Sequence, residues 1–329
     1  MEAGGRKADL GLSRQIIFDF AGAEQIESVI GNLSGVGVDG PVAWTVSDEG
    51  RTFERHVRTG MNFRLSRQYN LDDFFPDLPG GKEADLESLA VSGERIWLCG
   101  SHCRVRLKPN EVGAPSAAVG RGRSRHLLGS IRLDANREPI RESAVAMPFF
   151  GTGSLRSKLR RDPFLFTFLD LPSKENGLDI EGLAVLPNEI LLGLRGPVID
   201  SHAVVLSLPR DNGLPAAVGE PYRHMLDLGG LGVRDLAYGA GGVLLLAGPV
   251  TAADGPFRIY HWQPSRSGLI ETADMLHEWP IDHEHPEGLC PSELDGKPGL
   301  LIVYDGADDR RRAGTTVTGD WFALPTSDG

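Results

Sequence analysis

Cysteine is scarce in this sequence: Cys99, Cys103 and Cys290 are the only three in 329 residues. So few, and odd in number, they cannot form a disulfide framework, and a reducing, cytoplasmic compartment is expected. Long apolar runs are missing too. The longest, Val243 to Gly248, falls far short of the roughly 20 residues that span a bilayer. The N-terminal stretch MEAGGRKADLGL contains no apolar core of the kind a secretory signal needs, so no membrane association is expected. Positive charge is in deficit, with 34 Lys and Arg against 45 Asp and Glu and a formal net charge of −11. Such a chain repels a phosphate backbone, which argues against nucleic acid as a partner. Familiar catalytic motifs are also absent, including the G-x-S-x-G elbow, the Walker A loop, H-E-x-x-H and the EF-hand. The string GVGVDG at 35–40 matches G-x-G-x-x-G but leads into the strand-like VAWTV, so no helix N-terminus is available there for a pyrophosphate.

What is present in excess is turn chemistry and repetition. Glycine (42) and proline (22) punctuate a chain that is 40% apolar, a turn-rich globular composition. Five segments align without gaps: NLSGVGV at 32–38, DLESLAV at 85–91, DIEGLAV at 179–185, GVRDLAY at 232–238 and HPEGLCP at 285–291. Their central apolar residues, Val36, Leu89, Leu183, Leu236 and Leu289, are 53, 94, 53 and 53 residues apart. After most of these anchors comes a turn and a second short run rich in β-branched and aromatic side chains, which reads as a strand. Four short antiparallel strands per roughly 50 residues is the pattern of a propeller blade.

The expected fold is therefore all-β, a single five-bladed propeller with blades at about 29–84, 85–178, 179–231, 232–284 and 285–324. The last repeat has room for only three strands. The strand-like QIIFDF at 15–20 is expected to pair with DWFAL at 320–324 and remove the exposed edges. Six blades are the alternative, should residues 103–175 form a blade of their own. A short helical insertion is expected near 140–163, with Ser154 capping LRSKLRR. One position past each anchor stand Gly37, Ala90, Ala184, Ala237 and Cys290, so each inner strand offers one bulky and one small face.

The strings DIEGLAV, LLGLRGPV, VVLSL, LGGLGVRDLA, LLLAGPV, DGPFRIYHW and PEGL occur in that order. Together they resemble the bacterial family catalogued as domain of unknown function 3616, from about residue 30 to the C-terminus, a family that implies no activity. An inner strand opening on Glu-Gly is similar, more distantly, to the esterase-like phytases and the calcium-dependent gluconolactonase-type propellers.

In a propeller the loops entering the inner strands and those leaving the second strands share one face. Two positions before the anchors are Ser34, Glu87, Glu181, Arg234 and Glu287; four before are Asn32, Asp85, Asp179, Gly232 and His285. Second strands should bring Asp48, His102, Arg195 and Asp305 to the same mouth. Clustered carboxylates need a cation or arginines to neutralise them. One account makes Glu87, Glu181 and Glu287 catalytic candidates and, with Asp305, hard-oxygen ligands for Ca²⁺ or Mg²⁺. Arg195, Arg234 and His102 would then hold a small anionic substrate. The other account makes each Glu–Arg pair a tether between blades. His283 and His285 form a weaker metal pair that lacks a third ligand. The stretch 103–125 carries Arg104, Arg106, Lys108, Arg121, Arg123 and Arg125, a local reversal of charge that could steer an anion. The two functional expectations are a metal-dependent hydrolase of a phosphate ester, carboxylic ester or lactone, and a non-catalytic ligand- or protein-binding propeller. Oligomeric state is not legible.

Overall fold

Short runs of Val, Ile, Leu and aromatic residues cut by Gly, Pro and Asp turns have no length for helices, and they pair instead as antiparallel strands. The computed structural model describes residues 10–108, 116–211, 214–215, 220–239, 241–251, 255–279, 284–306 and 310–324. The first strand, β1 (Leu12–Asp19), stands apart from the first repeat. That repeat forms β2 (Leu33–Asp39), β3 (Val42–Ser47), β4 (Thr52–Thr59) and β5 (Asn62–Asn70). The second forms β6 (Leu86–Ser92), β7 (Arg95–Gly100), β8 (Leu128–Arg132) and β9 (Val145–Ala146). The third forms β10 (Asp179–Val185), β11 (Glu189–Ile199), β12 (His202–Asp211) and β13 (Tyr222–Leu226). The fourth forms β14 (Gly232–Gly239), β15 (Gly242–Gly248), β16 (Phe257–Trp262) and β17 (Asp274–Trp279). The fifth has only β18 (His285–Leu294), β19 (Lys297–Asp305) and β20 (Thr316–Ala323).

The missing fourth strand of the last sheet is β1, which pairs antiparallel with β20 with Gln15 opposite Asp320 and Phe18 opposite Val317. It also touches β5 in parallel through Phe18 and Phe63, joining the outer edges of the first and last sheets. Residues 103–175 make no further blade among the described residues. They supply β8 and β9 to the second sheet, a small hairpin at Val105–Arg106 and Val119–Gly120, and a short helix at Leu155–Leu159. Ser154 caps that helix as the sequence implies, its Oγ accepting from Ser157 N at 3.3 Å, and it buries Leu155 and Leu159. The other short helix, Ile26–Gly31, was not expected. No helix among the described residues is long and apolar enough to cross a membrane.

This is an all-β propeller. Each inner strand packs on the next, β2 on β6, β6 on β10, β10 on β14, β14 on β18 and β18 back on β2. The apolar core divides accordingly, one cluster in each gap between neighbouring sheets. All five anchors are buried in these gaps. The three cysteines are free thiols, all buried.

Candidate functional site

Every inner strand carries a β-bulge near its start. The register skips one residue between Leu33 and Gly35, Leu86 and Ser88, Ile180 and Gly182, Val233 and Asp235, and Pro286 and Gly288. The extra residues are Ser34, Glu87, Glu181, Arg234 and Glu287, the five positions lying two before the anchors. A bulge re-aims a side chain that strict alternation would send into the sheet-to-sheet core, and four of these five are too polar to be left there. They line one cavity of about 280 Å³ at the channel mouth, together with Asp48, Asp85, Cys103, Arg125, Lys174, Asp179, Arg195 and Asp305.

Just below, the channel closes at a waist made by the next residue of each strand, Gly35, Ser88, Gly182, Asp235 and Gly288. A Cβ on Gly288 would stand 2.9 Å from Gly35 Cα, and one on Gly182 3.1 Å from Leu236 N, so backbone meets backbone there. The Asp235 side chain fills the waist. Its Oδ1 accepts from Ser88 Oγ (2.7 Å) and Leu236 N (2.8 Å), its Oδ2 from Leu289 N (2.8 Å), and Leu183 N donates to it as well. Beyond the waist the opposite mouth is apolar, lined by Val36, Leu89, Val185, Leu236 and Leu289.

Within the acidic mouth, arginines neutralise part of the ring. Arg195 bridges Asp179 and Glu181, with Nη1 2.7 Å from Glu181 Oε1. Arg234 lies with Nε 3.0 Å from Glu181 Oε2 and donates through Nε and Nη2 to both oxygens of Glu287. Arg234 thus tethers the third, fourth and fifth sheets as the second account expects, whereas the Arg195 pairs lie within the third sheet. Arg125 binds Asp85 (2.8 Å) and Glu83, and Ser34 donates to Leu86 O of the next sheet. Glu87, by contrast, has no hydrogen bond or ion pair among the described residues. Ligand atoms of Glu87, Asp179 and Glu181 lie within 4.8 Å of one another. Asp179 and Glu181 are only 1% and 2% exposed, yet Asp179 Oδ1 and Glu181 Oε2 have no hydrogen-bond donor, and neither has Asp48 Oδ1. Three grouped carboxylates without an imidazole are a donor set for a hard cation, although both oxygens of Glu181 are also within reach of an arginine.

Of the residues expected at the mouth, Glu87, Glu181, Glu287, Arg195, Arg234 and Asp305 meet there, but His102 does not line the cavity. Its backbone is left-handed (φ 54°). The ring is buried below the mouth, Nε2 3.2 Å from Leu127 O, stacked on His126 at 5.4 Å. Glu287 and Asp305 line the cavity outside the tight trio, whose third member is Asp179. His285 is exposed against Phe257 and lines no part of the mouth, while His283 lies outside the described residues. Lys174, brought in by the short turn Ser173–Glu175, has no signal in the repeat, because it belongs to the insertion.

Burial and crowding raise the carboxyl pKa values. Asp48 is pushed up to about 7 by burial and by Asp305, Asp85, Glu49 and Glu83. Glu181 rises to about 7 because burial outweighs the pull of Arg195 and Arg234. Asp85 rises to about 6 from burial against Arg125. Glu87 is raised well above the ordinary range by burial, Asp85 and Glu181. Folded values above the unfolded carboxylate range, about 4, mean that the native state holds protons the unfolded state has released. Their stabilisation is complete below pH ~4 and is lost as pH rises through the folded values.

Buried histidines act with the opposite sign. Burial holds His56 near 3 and His126 near 4, so their contribution is present above pH ~6.5 and lost in acid. Above pH ~6.5 the histidines are flat and the carboxylates act alone. In chelator-treated buffer the melting temperature is therefore expected to fall by a few degrees between pH ~6.5 and ~8, at roughly 1.4 kcal/mol per proton per pH unit. A melting temperature that is level or rises over that interval in differential scanning fluorimetry contradicts the burial argument.

Three solved structures are similar to this chain over most of its length. A glutaminyl cyclase from Myxococcus xanthus has a TM-score of 0.48 and 9% identity, covering 96% of this chain and 97% of that one. A streptogramin B lyase has a TM-score of 0.41 and 11% identity over 94% and 98%. A PQQ-bound aldose sugar dehydrogenase from Streptomyces coelicolor has a TM-score of 0.40 and 12% identity over 95% and 99%. No curated protein matches the sequence. The family described as "Protein of unknown function (DUF3616)" matches over residues 32–320, which takes in all five inner strands with their bulges, and the chain belongs to that family.

Proposed function

We propose that the protein is a metal-dependent hydrolase of a phosphate ester, carboxylic ester or lactone, working at the acidic channel mouth with Ca²⁺ or Mg²⁺ held by Glu87, Asp179 and Glu181. The observation that carries this reading is the buried Asp179 Oδ1, which has no hydrogen-bond donor among the described residues, grouped with Glu181 and with a Glu87 that makes no ion pair. A divalent ion there would supply Lewis-acid polarisation and a more acidic water. Arg195 holds Asp179 and Glu181 in a fixed relative orientation, so little has to move on binding. Asp48 Oδ1, unclaimed and with a pKa of about 7, is suited to accept a proton near neutrality. Lys174 is without an ion pair among the described residues and is placed to draw in an anionic substrate.

The test is a thermal-shift titration with Ca²⁺, Mg²⁺ and Mn²⁺ on the parent and Glu87→Gln, beside hydrolysis of p-nitrophenyl phosphate, p-nitrophenyl acetate and a γ-lactone. At a hundredfold excess over Kd a native-state ligand adds about 2.7 kcal/mol, a shift of several degrees. Glu87→Gln is expected to abolish that shift and at least one hydrolytic activity. It should leave the metal-free protein as stable as the parent or more so, because burial and then Asp85, Glu181, Asp179 and Asp48 disfavour the charged form of Glu87. A parent that no divalent ion stabilises sinks the reading. The non-catalytic alternative draws its support from the chain Glu181–Arg234–Glu287, which ties three sheets together. In that case metal has no effect and the mouth is a ligand-binding surface held by tethers.

A further inference from the structure

A second polar pocket, of about 630 Å³, lies beside the acidic one and has the opposite character. The chain passes between them in one step, since Cys103 lines the acidic cavity and Arg104 the other. Among the described residues five arginines line it, Arg104, Arg121, Arg123, Arg156 and Arg160, against a single carboxylate, Asp170. Three of them share that carboxylate: Arg104 Nη2 is 3.1 Å and Arg156 Nη2 3.5 Å from Asp170 Oδ1, and Arg160 Nη2 is 3.0 Å from Oδ2. One negative charge cannot neutralise three guanidinium groups. Arg121 and Arg123 have no ion pair among the described residues, and Arg123 instead lies over the Phe150 ring at 5.2 Å. In a chain of net charge −11, a concave site with this excess of positive charge is unfavourable when empty.

Two features show that the pocket is built rather than a chance meeting of surface side chains. Arg156 is buried, and its guanidinium is held by the carbonyl oxygens of His102 and Leu169, an orientation set without any ligand. His126, 8% exposed, turns Nδ1 toward Phe149 O at 3.4 Å and leaves Nε2 buried with no partner. The crowding of positive charge also registers on the groups themselves: burial and then Arg104 lower the Arg156 pKa to about 10.

We propose that this pocket is a binding site for a phosphoryl-bearing small anion, distinct from the channel mouth and independent of whether the mouth takes a metal. Planar guanidinium forks match the paired oxygens of a phosphoryl group. Phe149 and Phe150 give one apolar wall, and the hydroxyls of Ser154 and Ser157 lie along the pocket.

Inorganic pyrophosphate and inorganic phosphate are the probes, titrated calorimetrically at low ionic strength with chelator present so that no metal complex forms. Saturable binding is expected, tighter for pyrophosphate and weakened by salt. The double variant Arg121→Ala/Arg123→Ala changes two exposed residues and should fold normally. It is expected to weaken binding at least tenfold, whereas Glu87→Gln should leave affinity unchanged. In the parent, the His126 side-chain ¹⁵N resonances should move on titration. Absence of saturable binding overturns the proposal, as does binding undiminished in the arginine variant. Binding that shifts with Glu87→Gln rather than with the arginines places the anion at the channel mouth and equally refutes it. A failure of the hydrolase reading changes none of these outcomes.

Discussion

Removal of the first 20 residues is expected to leave a protein that cannot hold its native fold. Strand β1 is the outer strand of the last sheet and also the contact between the first sheet and the last. It and the residue after it bury Ile16 (2% exposed), Phe18 (0%) and Phe20 (0%) in the cluster between those sheets. Each such side chain contributes about 1.5–3 kcal/mol by leaving water, so their joint loss approaches the whole stability of a typical domain, roughly 5–15 kcal/mol. The deletion has a second effect. It uncovers the edge of β20, where backbone groups from Thr316 to Phe322 are now matched by β1, and an unpaired edge invites pairing between molecules. The truncated chain should elute as aggregate in size-exclusion chromatography and lose its cooperative melting transition. A peptide spanning residues 10–21, added in trans during refolding, should restore part of both. A monomeric truncated protein that melts within a few degrees of the parent would mean that β1 is an appendage and that the ring closes without it.

That closure was legible in the sequence for a physical reason. A propeller repeats the same packing problem in every blade, and the recurring spacing of 53 residues among Val36, Leu89, Leu183, Leu236 and Leu289, broken once by the insertion, records the repeated solution. The one-strand deficit of the last repeat, set beside the orphan QIIFDF, then points to the strand that completes it. The convergence of Glu87, Glu181, Glu287, Arg195 and Arg234 followed from the shared offset, but strict alternation misses how it comes about. An offset of two puts a side chain on the anchor's own face, in the core; only the inserted residue at each bulge turns it into the channel. A one-residue excess leaves no mark on apolar periodicity, so the bulges could not be read. His102 departs from the expected mouth for a related reason, because it is itself left-handed, two residues past the end of β7, where strand alternation no longer sets its direction. Asp170, Arg156 and Lys174 sit in the insertion, which has no counterpart in the other repeats and so no register to argue from. The waist itself leaves a signal in the sequence. The residues just before the anchors are Gly35, Ser88, Gly182, Asp235 and Gly288, four small side chains and one carboxylate, the composition of a constriction filled from one side.

Asp235→Ala is accordingly expected to be among the most damaging single substitutions in the protein. The carboxylate lies 1% exposed at the waist, where burial drives its pKa up and the donors from Leu289, Ser88, Leu236 and Leu183 pull against that rise. Those donors come from four of the five inner strands, so the loss is not confined to one blade. Truncation to alanine leaves the N–H groups of Leu289 and Leu183 and the Ser88 hydroxyl buried without an acceptor, at about 1–3 kcal/mol for each group so stranded. Relaxation is limited because the glycines of the waist already stand backbone to backbone. A total of about 3–5 kcal/mol, the scale of breaking a buried charged network, lowers the melting temperature by about 4–7 °C in a domain of this size. Asp235→Asn keeps the shape but replaces one acceptor oxygen with an NH₂ that faces N–H donors, so it should lose nearly as much. Ser88→Ala removes a single hydroxyl and should cost about 1 kcal/mol. Because Ser88 donates to Asp235 itself, the double variant Ser88→Ala/Asp235→Ala should be less damaged than the sum of the two, a coupling that a thermodynamic cycle measures directly. A strictly additive cycle, or an Asp235→Ala protein within about 1 kcal/mol of the parent, would show that the waist is held by backbone packing alone.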